Sequence, residues 1–466
     1  MHEFIRTITR SFSDAVVPAL AVMAVGGIVL AVLYWKWYGK DGREPRAPLL
    51  KRTAAILLLL CYLGGLTAIT LLHRTTGDSA IQAHLFRAFR EAWNAFTLQV
   101  WLNPLLNVAM FAPLGALLPL AARPFRRWYW TLAAGGGASL LIETLQYLLR
   151  RGSADVDDLL CNTLGVMLGW CLCMIFVHLT EQNGRLAGAC AVFPALCAAF
   201  LIGVFAAYEL QPYGNLADAP AFTADTRGVE WTLACELSDQ PGPAGVYWAE
   251  PFTKETCDDF AVGFVGRLGA EIDFNSPQVN YYDNTTFYSD HSTYSLSVDH
   301  NDRSYQYTNF KVDPKLWDTA GMATQADLLD ALSELGIEVP ESAEFIEEQA
   351  GLYVFRASRV AEDGVLTDGE LICQVVEDGS LLRVKNALSV STLHGEAAVI
   401  SQQAAYEQLC RGWFSGGDWF EFNAPRAVRV TSCTLRYFID SKGFRQPVYV
   451  FELEGLGPVF VPALAG

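Results

Sequence analysis

The chain has 466 residues, enough for two or three domains by length alone. Apolar residues make up 52%, charged residues 18%, and mean hydropathy is +0.22, which excludes a disordered chain and a highly charged coiled coil. Charge divides the chain: residues 1–210 carry 17 Lys+Arg and 12 Asp+Glu, residues 211–466 carry 16 and 38, so the second part is a poor partner for nucleic acid.

An apolar, mildly basic first part before an acidic second part predicts an all-α transmembrane bundle over residues 1–210. An α+β extracytoplasmic domain is expected over 211–466. A helical span needs roughly 20 mostly apolar residues. Six segments qualify: Ala15–Tyr34, Thr53–Leu72, Leu102–Ala122, Trp128–Leu149, Leu159–Val177 and Leu186–Ala207. The first is expected to stay in place, since no small-x-small cleavage site precedes the basic stretch after it.

Lys/Arg bias sets the orientation. Lys36, Lys40, Arg43, Arg46, Lys51, Arg52, Arg123, Arg126, Arg127 and Arg185 fall on one side, ten in all; Arg6, Arg10, Arg74, Arg87, Arg90, Arg150 and Arg151 make seven on the other. The N-terminus and residues 211–466 are therefore expected outside. Between the second and third spans, Ile81, Leu85, Phe89, Trp93 and Phe96 recur at helical spacing. They predict an amphipathic helix over 78–101, interfacial or capping the bundle, with Trp93 and Trp101 at headgroup level.

Ionisable groups inside a span cost about 2.5–3.5 kcal/mol on insertion scales and mark function by default. In the fourth span, Ser139, Glu143, Gln146 and Arg150 share one helical face. Then follow Arg151, Asp155, Asp157, Asp158 and Asn162, with Gly165-x-x-x-Gly169 permitting close backbone approach. The third span adds Asn103, Asn107, Pro113 and Gly115. Three polar faces can thus converge, with Arg151 and Glu143 as natural partners. Asn, Gln and Ser also serve as interhelical hydrogen-bond pairs, and aspartates can simply cap the helix they precede. For Ser139 or Asn107 alone that structural role is the simpler one; Glu143, Arg151 and the three aspartates together favour a functional site.

The run Asn107-Val-Ala-Met-Phe-Ala-Pro113-Leu-Gly115, then Ser139-x-x-x-Glu143-x-x-Gln146, Arg151 and Asp155-Val-Asp157-Asp158 through Asn162, Gly165 and Gly169 resembles the VanZ-like family over about residues 80–180. That resemblance implies a bacterial membrane protein of a family whose founding member is associated with teicoplanin resistance. It implies no settled reaction. Gly152-Ser153-Ala154 departs from the family pattern, where an aromatic commonly precedes the first aspartate, and leaves Arg150 as an alternative to Arg151.

The second half reads as strands over residues 221–312, rich in Tyr, Thr, Ser and Val. A capped helix over Thr324–Gly336 is followed by strands at Leu352–Arg359, Glu370–Glu377 and Leu381–Asn386. A second capped helix, Ser401–Gly412, precedes strands at Val428–Asp440 and Pro447–Leu453. Ile400-Ser401, Ala405-Tyr406, Gly412 and Pro447-Val448-Tyr449 resemble PepSY/YycI-like ectodomains over about 65 residues, within an α+β stretch expected over 320–466. Of eleven cysteines five lie in this half, among them Cys433 on an alternating strand face; no Cys/His cluster suggests a metal, and no cofactor motif is present.

The expectation is a cell-envelope membrane protein acting in glycopeptide or envelope-stress resistance, with an outer sensing or binding domain. The alternative is a membrane enzyme on a lipid-linked envelope precursor, using Glu143, Arg151 and the aspartates at 155–158. Expected partners are membrane lipid or such a precursor, and an envelope protein for the outer domain.

Overall fold

A computed structural model describes residues 47–72, 81–274, 284–360, 364–417 and 425–465. The expected first span, Lys36 to Arg46, Arg74 and the tyrosines at 281 and 282 lie outside these. Two compact units emerge: residues 47–92 with Leu98–Gln211, and Trp93–Thr97 with Pro212 onward.

The first unit is helical: α1 (Ala47–Thr67, continued by a π-helical turn Ala68–Leu72), α2 (Arg87–Ala95), α3 (Leu98–Ala121), α4 (Trp128–Leu148), α5 (Val156–Thr180) and α6 (Gly184–Glu209). Four stretches are long and apolar enough to cross a membrane among the described residues: Arg52–Thr70, Val100–Ala121, Val156–Thr180 and Gly184–Glu209. Six spans were expected. The first expected span lies outside the described residues, and the fourth, α4, is long enough but too polar. Its polarity has a direction: Thr131, Gly135, Ser139, Glu143 and Gln146 are buried, while Trp130, Leu140, Leu141 and Leu148 are exposed. Polar residues inside and apolar ones outside suit lipid as the solvent.

Helices α3 and α5 meet backbone to backbone. A Cβ on Gly115 would lie 1.9 Å from the Val166 carbonyl oxygen; one on Gly165, 2.1 Å from that of Val108; one on Gly169, 1.8 Å from that of Ala112. Only glycine permits this approach. The Tyr62 hydroxyl donates to the Met110 carbonyl and Arg52 Nε to that of Ala121 at 2.9 Å, tying α1 to α3.

The helix expected over 78–101 is shorter than its periodicity suggests. Ile81–Gln82 (β1) pairs in parallel with Ala154–Asp155 (β2) instead. Phe96, at φ 45°, separates α2 from α3. Trp101, expected at headgroup level, is buried on α3 against Phe205.

The second unit is built on a 13-stranded sheet. In chain order the strands are β3 (Glu230–Leu233), β4 (Gly242–Trp248), β5 (Asn284–Tyr288), β6 (Tyr294–Asp299), β7 (Tyr305–Asn309), β8 (Glu344–Gln349), β9 (Leu352–Val360), β10 (Val365–Val375), β11 (Leu381–Asn386), β12 (Ser389–Val399), β13 (Ala427–Ile439), β14 (Phe444–Leu453) and β15 (Gly457–Pro462). The order β3-β13-β14-β4-β12-β10-β11-β7-β6-β5 interleaves strands from before and after residue 320. Every pairing is antiparallel except β3 with β13.

Two larger cores form on the sheet, beside a small cluster of Val312, Val376 and Leu382. Helices α7 (Lys254–Arg267) and α8 (Gln325–Glu334) cover one through Ala261, Phe264, Leu328 and Leu332 against Phe287, Leu296, Phe355 and Leu371. Helix α9 (Gln402–Cys410) covers the other through Ala405 and Leu409 against Val430, Phe451 and Val461, with Cys433 partly buried at its margin. Helix α7 falls inside the stretch read as strands. Its signal was present: Thr253 and Thr256 form a capping box, and Cys257, Ala261, Phe264 and Val265 are spaced for one helical face. The expected caps of the later helices are in place, Thr324 and Ser401 at the starts, Gly336 (φ 70°) and Gly412 (φ 83°) past the ends.

Candidate functional site

The polar residues of α3, α4 and α5 gather around the start of α5. Asp155 is its N-cap, its side chain accepting from the Asp157 amide at 2.8 Å. Asp157 is buried, and its two oxygens accept from the Phe86 amide at 2.6 Å and the Ala88 amide at 2.8 Å. It thereby caps α2 from another helix, placing negative charge at the positive end of that helix's dipole. Phe86 sits at φ 66°, a left-handed conformation costing about 1–2 kcal/mol for a non-glycine residue.

The Asp158 carboxylate accepts from Asn107 Nδ2 at 2.5 Å, linking α5 to α3. Asn162 Nδ2 donates to Ser139 Oγ at 2.9 Å, linking α5 to α4. Gln146 Nε2 donates to the Thr70 carbonyl at 3.0 Å, linking α4 to the π-helical turn after α1. Glu143, only 5% exposed, accepts from the Asp155 amide at 3.3 Å. That bond is longer than the usual 2.7–3.2 Å range for N–H···O.

Beyond α4 the chain turns sharply. Arg150, at φ 53°, takes the left-handed position usually given to glycine, and the Arg151 amide reaches back to the Gln146 carbonyl at 2.8 Å. Arg150 is exposed and Arg151 half-buried. Burial raises the Asp155 carboxyl above the usual carboxylate range; the bond from Asp157 and the positive charge of Arg87 oppose that.

Asn107, Ser139, Glu143, Gln146, Asp155, Asp157, Asp158 and Asn162 thus make a set of separate bonded groups: Asn107 with Asp158, Ser139 with Asn162, Glu143 and Asp157 with Asp155, and Gln146 with Thr70. Asn103 is exposed and outside it. Pro113 lies in α3 two residues before Gly115, and Gly115, Gly165 and Gly169 form the close α3–α5 seam. Sequence reasoning did not single out three contributors: the Thr70 carbonyl, the backbone amides at Phe86 and Ala88, and Arg87. Arg87 donates to Gln82 at 3.0 Å and pairs with Glu91 at 2.8 Å beside Asp155. Backbone groups carry no sequence signal, but a threonine near a span's end and an arginine starting a short helix do.

Two buried acceptors in the set, Gln146 Oε1 and Asn162 Oδ1, have no hydrogen-bond partner among the described residues. Buried polar atoms are normally satisfied, so each can accept from a water or a bound hydroxyl or amine. Among the described residues, no group of three or more His, Cys, Asp or Glu is placed to hold a metal ion.

The four long apolar helices suggest a membrane-associated protein, and the chain carries a large sheet-rich C-terminal unit. Residues 54–177, which include every member of the cluster, match the VanZ/LLP1 family, so this part of the chain is a VanZ-like region. That family suggests a membrane protein connected with the cell envelope and antibiotic resistance. No curated protein and no solved structure matches the chain.

Proposed function

We propose that the chain is an integral protein of the bacterial cell envelope that lowers susceptibility to glycopeptides of the teicoplanin type or to related envelope stress. Its VanZ-like region engages a membrane lipid or lipid-linked envelope precursor, with Arg151 holding an anionic headgroup and Glu143 and Asp155 beside it as counter-charges or acid/base groups. The sheet-rich unit serves as an extracytoplasmic sensing or binding domain, with the basic loops in the cytoplasm. The observation that carries this reading is the coincidence of the family match with a buried Glu143 and two unsatisfied buried acceptors in one cluster.

A second reading, a membrane enzyme acting on such a precursor, is favoured by one feature. Asp155, its carboxyl raised by burial, has its backbone amide on the Glu143 carboxylate. Two carboxyl groups in unlike settings are how acid and base roles are divided.

The test is Glu143→Gln, which keeps shape and removes charge, together with Arg151→Lys, which keeps charge and loses the bidentate fork. Both variants are expected to accumulate in the membrane and to lose protection in a drug-susceptibility assay. Interhelical hydrogen bonds in membranes average only about 0.6 kcal/mol, so a purely structural Glu143 would tolerate glutamine. Wild-type protection from both variants would sink the proposal.

A further inference from the structure

At the end of α5 away from the polar cluster, α5 and α6 border a cavity of about 450 Å³. Trp170 and Met174 of α5 and Cys190 and Phe193 of α6 line it, with Arg126 and His178 among the lining side chains. We propose that this cavity seats an acyl chain of an anionic phospholipid whose phosphate rests on Arg126 and His178.

The first argument is the surrounding medium. Both helices are apolar enough to span a bilayer, and α6 buries only Ala187 and Tyr208 within the protein. In a membrane, what reaches the cavity from the side is lipid tail. Tails are as apolar as the side chains they meet, so apolar contact adds little selectivity and the headgroup must supply it.

The second argument is charge. Arg123, Arg126 and Arg127 lie in and beside the turn before α4, and Arg185 opens α6; Glu181 is the one acid in residues 178–186. Arg126 Nη1 donates to Glu181 at 3.1 Å, which uses one of the five donors a guanidinium carries. His178 Nδ1 is buried and has no hydrogen-bond partner among the described residues; the nearest acid oxygen, on Glu181, is 3.7 Å away. A phosphate oxygen would supply an acceptor within hydrogen-bond reach of His178 Nδ1 and a second acceptor for Arg126. Basic pockets between spans on the cytoplasmic side take anionic headgroups on these terms.

The test uses the full chain purified in detergent, with phosphatidylglycerol and phosphatidylcholine of identical acyl chains competing for it in native mass spectrometry. Retention of phosphatidylglycerol is expected to exceed that of phosphatidylcholine by about tenfold or more, the scale of one charge-assisted contact. Arg126→Gln with His178→Gln is expected to abolish the preference, and Arg126→Lys alone to keep part of it. Should the double variant fail to fold, Ala189→Trp carries the test: it fills the cavity and is expected to reduce retention of the lipid. Indifference to headgroup in the wild type, an undiminished preference in the double variant, or full retention in Ala189→Trp would overturn the proposal. So would displacement by millimolar inorganic phosphate alone, which would make this an ion site. Glu143→Gln is expected to leave the preference intact, so failure of this inference and of the proposed function can be told apart.

Discussion

Asp157 offers the sharpest quantitative test of how the polar cluster is built. Its two oxygens hold the Phe86 and Ala88 amides at 2.6 and 2.8 Å, and the residue is 1% exposed. Hydrogen bonds to a charged group contribute roughly 1.5–3 kcal/mol each. The carboxylate at a helix start adds roughly 0.3–1 kcal/mol. Asp157→Asn keeps one acceptor and turns an NH₂ toward the other amide, losing one bond, the charge and some repulsion-free packing. Release of Phe86 from its left-handed conformation returns about 1 kcal/mol. The net expected cost is roughly 1–3 kcal/mol by these principles, confined to the anchoring of α2. Asp157→Ala loses both bonds and should cost more. Hydrogen exchange on the full chain in nanodiscs reads this directly: the Phe86 and Ala88 amides should open roughly five to a hundred times faster, at tenfold per 1.4 kcal/mol. Amides in the middle of α5 should be unaffected. Unchanged protection at Phe86 and Ala88 in the alanine variant would refute the reasoning, because no other acceptor would then be needed at the start of α2.

The α3–α5 seam predicts that Gly169→Ala, whose Cβ would meet the Ala112 carbonyl at 1.8 Å, lowers thermal stability in detergent by at least about 2 kcal/mol. Gly137→Ala, with open space around its Cβ, should be neutral or stabilising by up to about 1 kcal/mol; equal behaviour of the two would refute the seam. For topology, a reporter active only in the cytoplasm and fused after Gly466 should be silent. Strong activity would reverse the proposed orientation.

The parts legible in sequence are those fixed by local rules. Thr324 and Ser401 were visible as caps because a short hydroxyl before an apolar period has one common use. The pairs Asn107–Asp158 and Ser139–Asn162 join faces that helical spacing marks out in three consecutive segments. What was not legible depended on partners distant in sequence. Ile81 pairs with Ala154 across more than seventy residues, and that pairing, not periodicity, starts the segment before α2. Strand order was equally hidden: β4 lies between β14 and β12, which follow it by well over a hundred residues. Helix α7 was missed for another reason, since strand-like composition on both sides masked an apolar face four turns long.

The same geometry separates the polar residues by what each can still do. Ser139 and Asn162 are joined, Asn107 holds Asp158, and Gln146 reaches Thr70; each pair links two helices, the role that interhelical polar residues commonly fill. Asp157 has both oxygens committed to α2, so its charge is used in positioning. Asp155 differs: it caps α5, yet its carboxyl is held above the usual range beside the charges of Arg87 and Glu91. Glu143 differs further, being buried in α4 and accepting from the Asp155 backbone amide at 3.3 Å on its Oε2. A carboxylate kept inside an apolar bundle is costly, and cost of this kind persists where function needs it. The chemistry of the VanZ-like region is therefore expected to concentrate on Glu143 and Asp155, with Arg151 on the turn between them, and the surrounding pairs hold these three in register.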